Sequence, residues 1–141
     1  KTACKRGMSS RARAGTGRPR RVLVVDDNAD AADALAALLQ GHGHATRAAY
    51  SGAGGVQAAQ AFDPDVVLLD IGMPGMDGIE TCRRLRAAAR SPRVIVVAVT
   101  GFGQERDRRR ILDSGFDAHL TKPADLGALQ ALLDRLVIEA S

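Results

Sequence analysis

The sequence lacks the features that would place the chain in a membrane, in an oxidising compartment or around a zinc ion. No apolar run approaches the roughly 20 residues of a membrane-spanning helix, and the first residues contain no apolar segment of a secretory signal. The only two cysteines, Cys4 and Cys82, do not have the spacing of metal ligands. These absences predict a cytoplasmic location, free thiols and no membrane contact by this chain.

Acidic residues are missing from the first part of the chain. Residues 1–20 contain seven Lys or Arg and no acidic residue, whereas residues 21–141 contain 13 basic and 16 acidic residues. The formal net charge of +4 therefore comes from residues 1–20. This segment also has no aromatic residue and no helical period, so we expect a basic flexible linker or tag at residues 1–20 and one domain at residues 21–141. A basic segment of this kind could also contact nucleic acid or an anionic surface.

From residue 21 onward, apolar runs rich in β-branched residues alternate with segments of helical period. The segment at residues 51–62 is the least favoured of the predicted helices, because each interior glycine lowers the stability of a helix by about 1 kcal/mol relative to alanine. Five strand–helix units with short connections predict an α/β fold, a doubly wound five-stranded parallel sheet with helices on both faces. The strands are expected at residues 21–26, 44–49, 65–70, 93–100 and 116–123, and the helices at residues 28–43, 51–62, 78–89, 103–115 and 124–140.

Three carboxylates are expected to meet at one edge of this sheet. Right-handed crossovers bring the C-terminal ends of all strands to the same edge, where ligands bind in such folds. Asp26 and Asp27 follow the first strand, and Asp70 ends the third strand within "DVVLLDIGMPGMDG". Neighbouring carboxylates would repel by about 4 kcal/mol per close pair at an effective dielectric constant near 20. Either raised pKa values or a divalent cation would relieve this repulsion, and oxygen ligands without His or Cys favour Mg²⁺ over zinc.

Other groups at the same edge suit phosphoryl transfer. Thr100 ends the fourth strand with a hydroxyl that can bind an oxyanion, and Lys122 follows the fifth strand with a positive charge. The backbone carbonyl of Gly72 lies in the turn after Asp70 and can bind a metal. Together these groups predict Mg²⁺-dependent phosphoryl transfer to a carboxylate, with Asp70 as the nucleophile.

Four motifs of the chain, in order, resemble the receiver domain of two-component response regulators. They are "VLVVDDN", "DVVLLDIGMPGMDG", "VVAVTG" and "HLTKP", and the resemblance covers residues 21–140. It implies the (βα)5 flavodoxin-like receiver fold. It also implies a signalling domain rather than an enzyme, which takes a phosphoryl group from a histidine kinase or a histidine phosphotransfer domain and then changes its signalling surface.

The resemblance assigns roles to the acidic residues. Asp70 would be the phosphoacceptor. Asp27, Asp70 and the Gly72 carbonyl would bind Mg²⁺ directly, and Asp26 would assist through a water molecule. No organic cofactor is implied.

The resemblance also implies a switch. Thr100 and Lys122 would hold the phosphoryl group, and the Lys122–Pro123 peptide bond would be cis. His119 occupies a position where the family often has Tyr or Phe, whose ring moves inward on activation. Two interpretations of His119 stay open: a partly exposed strand residue without a special role, or a smaller, titratable switch residue.

Three alternative functions fit the sequence less well. A flavodoxin-like cofactor-binding module would need a phosphate-binding loop where "DDNAD" supplies repelling acids. A phosphohydrolase with an aspartyl nucleophile would need "DxDx(T/V)" at the first strand, and this motif is absent. A degenerate receiver would lack some of the acids, the Thr or the Lys, all of which this chain has.

The parent protein is a separate question. The segment "TGFGQERDRRRILDSGFDAHLTKP" resembles the receivers that end hybrid sensor histidine kinases, and a stand-alone single-domain response regulator is the alternative. No DNA-binding module is expected in this chain, and we expect a monomer or a weak dimer.

Overall fold

A computed structural model of the chain describes residues 20–73, 77–88, 94–101, 108–113, 115–121, 127–132 and 134. Strands and helices alternate through the described residues. They are β1 Arg21–Val25, α1 Ala29–Gly41, β2 Ala45–Ala49, α2 Gly52–Phe62, β3 Val66–Asp70, α3 Gly78–Ala88, β4 Ile95–Thr100, α4 Arg108–Asp113 and β5 Ala118–Thr121. Residues 127–132, within the last predicted helix, are also helical.

The five strands form one parallel sheet in the order β2-β1-β3-β4-β5. This confirms the predicted doubly wound α/β fold. The order shows where the winding reverses: β2 lies on one side of β1, and β3 and the later strands lie on the other. In folds of this kind ligands bind outside the carboxyl ends of the strands at this reversal, here between β1 and β3.

Two apolar layers cover the faces of the sheet. Leu39 of α1 and Leu129 of the last helical segment are fully buried against one face. Leu85 of α3 and Phe116, just before β5, are buried against the other face, with the helices α2, α3 and α4. All positions of β3 and β4 are buried, as expected for continuous apolar runs in a sheet covered on both sides. Burial also raises the pKa of the Cys82 thiol on α3.

The predicted bounds of α1 and α2 are at most two residues too wide at either end, and capping residues explain the observed starts. The Asn28 side chain accepts a hydrogen bond from the Ala31 backbone N–H at 3.1 Å, and Ser51 accepts one from the Gly54 N–H at 2.9 Å. Each cap fixes the first turn of its helix. None of the helices in the described ranges combines the length and apolarity that crossing a membrane requires.

Helix α2 contains several glycines, and one of them is required for close packing against the sheet. A Cβ atom added at Gly55 would lie 2.9 Å from Val25 Cγ2 of β1, which is closer than such atoms pack. The missing side chain therefore lets α2 approach the sheet directly beside the end of β1. The low helix propensity of glycine is offset by this contact.

Gly55→Ala is expected to lower the free energy of unfolding by about 1–3 kcal/mol, because overpacking of a tight core outweighs the gain in helix propensity. Gly41→Ala is the matched control, since a Cβ at this helical glycine meets no atom within 4 Å. The control variant should be unchanged or more stable by up to about 1 kcal/mol. Urea unfolding of both variants measures this, and equal effects of the two substitutions would contradict the packing argument.

Candidate functional site

The three predicted acids lie together at the C-terminal edge of the sheet. Asp26 and Asp27 follow β1, and Asp70 is the last residue of β3. The two strands are neighbours, with Val25 opposite Leu69, so the register brings the residues that follow side by side. One carboxylate oxygen from each acid lies within 4.8 Å of those of the other two. We call these three residues the acid cluster.

Burial differs within the acid cluster. Asp26 and Asp70 are only 7% and 5% exposed, whereas Asp27 is exposed. The two buried carboxylates are held by backbone donors: Asp26 Oδ1 accepts from the Asn28 N–H at 3.0 Å, and Asp70 Oδ1 accepts from the Gly72 N–H at 2.8 Å. The second bond folds the turn after β3 back toward Asp70. That the Gly72 carbonyl binds a metal stays a prediction.

The acid cluster fits a hard divalent cation. Oxygens that share one Mg²⁺ at its preferred bond length lie about 3–4 Å apart, a separation that this cluster can reach with small side-chain movements. Within the described part of the chain, no His or Cys belongs to the cluster, which favours Mg²⁺ over zinc. A dication would also neutralise the repulsion among two buried carboxylates and one exposed carboxylate.

Thr100 and His119 are joined by a hydrogen bond. Thr100 ends β4 and is fully buried, and its Oγ1 lies 2.8 Å from Nε2 of the partly buried His119 on β5. The same Oγ1 lies 3.4 Å from the carbonyl oxygen of Leu120. The sequence placed both residues in a switch but did not predict this contact, because it depends on the register of β4 and β5.

The other predicted site residues lie outside the described residues. They are Lys122 and Pro123. The last described residue of β5 is Thr121, which pairs with Thr100 at the C-terminal edge of the sheet. The role of Lys122 and the cis peptide bond stay predictions.

A solvent-filled cleft of about 590 Å³ opens beside the acid cluster and was not predicted from the sequence. Asp27 lines it together with Tyr50 and Ser51, which precede α2, and with Glu80 of α3. The Tyr50 hydroxyl donates to an Asp33 carboxylate oxygen at 2.6 Å, and this bond raises the pKa of Tyr50. The cleft gives the exposed Asp27 direct access to solvent. No motif marks it, since its walls come from segments that are distant in sequence.

Residues 22–134 match the response regulator receiver domain family. The chain belongs to this family. Receiver domains act in two-component signalling, where histidine kinases or phosphotransfer proteins phosphorylate them, and they bind Mg²⁺ at an acidic pocket. The acid cluster of this receiver is a pocket that could hold the metal.

Two similar proteins differ in the share of their length that this receiver covers. It is 40% identical to PilH of Pseudomonas aeruginosa over 105 residues, which are 74% of this chain and 87% of PilH. It is 35% identical over 119 residues to the DNA-binding dual master transcriptional regulator RpaA of Synechocystis, covering 82% of this chain. This receiver spans about half of RpaA, 49% of its length.

A solved structure of similar fold contains a modified aspartate. It is a response regulator protein from Burkholderia pseudomallei with a phosphorylated aspartic acid, a calcium ion and citrate. Its identity to this receiver is 25%, with a TM-score of 0.74, over 85% of this chain and 69% of the other.

Proposed function

We propose that this receiver takes a phosphoryl group from a phosphohistidine onto Asp70 in an Mg²⁺-dependent phosphorelay. The position of Asp70 is the observation that carries the proposal. Its carboxylate ends the central strand β3, is held by a backbone N–H, and lies within 4.8 Å of two further carboxylates. Two buried carboxylates beside a third, exposed one are unfavourable for folding, and a bound cation would offset this cost.

Different residues of the chain would bind the metal and attack the phosphoryl group. Asp26, Asp27, Asp70 and the Gly72 carbonyl would hold Mg²⁺, which when bound neutralises charge on the transferred group. A carboxylate oxygen of Asp70 would form a bond to phosphorus while the phosphorus–nitrogen bond of the phosphohistidine breaks, and the leaving imidazole would keep the electron pair and take a proton from solvent. The Gly72 N–H holds the Asp70 carboxylate in a fixed orientation for this attack.

Two further side chains would bind the transferred group. Thr100 can donate its hydroxyl proton to a phosphoryl oxygen, and Lys122 can supply a positive charge. A bound Mg²⁺ would reduce the repulsion between Asp70 and an incoming phosphate. The Burkholderia pseudomallei response regulator supports this scheme, since a phosphorylated aspartic acid and a divalent cation occur in that protein.

The proposed partner is a histidine kinase or a histidine phosphotransfer domain of the cytoplasm. The sequence motifs favour a receiver that belongs to a hybrid sensor histidine kinase. A stand-alone response regulator is the second candidate, and one observation favours it: this chain spans 87% of PilH. The sequence of the full-length gene decides between the two parents.

Phosphorylation by a small donor tests the proposed function. Incubated with acetyl phosphate and MgCl₂, the chain of residues 1–141 is expected to gain one phosphoryl group that is stable in acid and labile in base. Intact-protein mass spectrometry measures the gain, and EDTA in place of MgCl₂ should prevent it. An unchanged mass with both acetyl phosphate and phosphoramidate in Mg²⁺ would contradict the proposal.

A further inference from the structure

Among the described residues, two polar atoms contact the hydroxyl of Thr100, which has a single proton to donate. Oγ1 lies 2.8 Å from His119 Nε2 and 3.4 Å from the Leu120 carbonyl oxygen. A hydroxyl has one proton to donate and two lone pairs that accept. The Leu120 carbonyl can only accept, so this contact is a hydrogen bond only if Thr100 directs its proton there.

The two described contacts of Thr100 favour one tautomer of His119. If Thr100 donates to Leu120, the short contact with the ring requires a proton on His119 Nε2. The other tautomer would use the only Thr100 proton for the ring and leave the Leu120 contact without one. Only the Nε2–H form satisfies both contacts in a region where Thr100 is fully buried.

We propose that His119 is a positioning residue: its Nε2–H donates to the Thr100 oxygen and so keeps the Thr100 proton available for a phosphoryl oxygen. The proposal rests on the proposed function of Asp70. A phosphoryl oxygen is charged and therefore a stronger acceptor than the Leu120 carbonyl at 3.4 Å. Thr100 can exchange one acceptor for the other while the bond from His119, made to a lone pair, persists.

This arrangement couples the two residues by a hydrogen bond rather than by the size of a ring. When Thr100 turns toward the phosphoryl group, His119 follows it because the 2.8 Å bond is retained. A Phe at this position would have no donor for Thr100. The switch interpretation of His119 did not contain this hydrogen bond, which adds a positioning role for the histidine.

Nitrogen NMR of the histidine rings tests the tautomer without any phosphorylation. The chain has three histidines, and the structure supplies a reference for each tautomer. His42 Nδ1 lies 3.0 Å from the Leu38 carbonyl and must carry its proton there, whereas His44 Nδ1 accepts from the Arg20 N–H and must carry its proton on Nε2. At about pH 8, above the usual histidine pKa, His119 is expected to match His44. An Nδ1–H tautomer of His119 would overturn the proposal.

A double-mutant cycle tests the function of the bond. His119→Leu removes the donor, His119→Gln keeps an amide N–H near the same place, and Thr100→Val removes the hydroxyl with little change in shape. Phosphorylation by phosphoramidate is expected to slow roughly two- to tenfold in His119→Leu, the range for one net hydrogen bond, and to stay within about twofold of the parent in His119→Gln. In the Thr100→Val background, His119→Leu should have almost no further effect.

The outcomes separate this inference from the proposed function. An equal slowing by His119→Leu with and without the Thr100 hydroxyl, or a glutamine variant as slow as the leucine variant, would contradict the positioning role. Failure of the parent chain to be phosphorylated would contradict the proposed function, while the tautomer measurement would still decide whether the hydrogen bond exists. Thermal unfolding of each variant is the folding control, since His119 is only partly buried.

Discussion

Asp70→Asn is expected to take up no phosphoryl group from acetyl phosphate under conditions in which the parent chain is labelled. The amide of asparagine is not a competent nucleophile, so the loss should exceed about a thousandfold in rate, the scale of removing a nucleophile from a catalytic site. Intact-protein mass spectrometry in MgCl₂ measures the labelling. Because the substitution retains the size of the side chain, the fold is expected to persist.

Two controls accompany this variant. Asp113→Asn makes the same change of charge at the exposed last residue of α4, a helix that leads from the edge with the acid cluster toward the opposite edge of the sheet. This variant should be labelled like the parent. Without metal, Asp70→Asn should be at least as stable as the parent, since one charge of the repelling acid cluster is removed. Undiminished labelling of Asp70→Asn would show that another residue accepts the phosphoryl group.

The site residues that could be predicted from the sequence are those at the C-terminal ends of strands. A continuous apolar run that stops at a charge, such as Val66–Asp70, identifies both a buried strand and a side chain at its exit. Parallel topology then places Asp26 and Asp70 at the same edge of the sheet. Their close approach also requires that β1 and β3 are neighbours, which the strand order shows and the spacing of the sequence does not.

The contacts that were not predictable depend on register and close approach. The hydrogen bond between Thr100 and His119 requires the pairing of β4 with β5, which no periodicity encodes. Helix α2 seemed the least favoured helix because propensity is a local quantity, whereas the contact of Gly55 with Val25 is tertiary. The cleft beside Asp27 joins the residues before α2 to the face of α3, and the sequence shows only the separate pieces.

The exposure of Asp27 gives it a different role from the other two acids. Asp26 and Asp70 each accept a hydrogen bond from a nearby backbone N–H, so replacing either by a residue without a side-chain acceptor would alter local structure as well as charge. Asp27 is exposed and faces the cleft, so its carboxylate is the member of the acid cluster that can be changed with the least effect on the fold. It therefore separates metal binding from folding.

Asp27→Asn is expected to weaken Mg²⁺ binding by at least roughly tenfold, because one of three negative charges near a dication is lost. In the parent, Mg²⁺ at a hundred times its dissociation constant should stabilise the fold by about 2.7 kcal/mol, and this gain should shrink in the variant. Without metal the variant should be as stable as the parent or more stable, since like charges are removed.

The chain has one tyrosine and no tryptophan, and Tyr50 lines the cleft with Asp27, so tyrosine fluorescence during a Mg²⁺ titration reports binding at this place. Asp113→Asn again controls for net charge and should bind Mg²⁺ like the parent. An Asp27→Asn variant with the parent's Mg²⁺ affinity would remove Asp27 from the metal site and leave Asp26 and Asp70 to hold the ion.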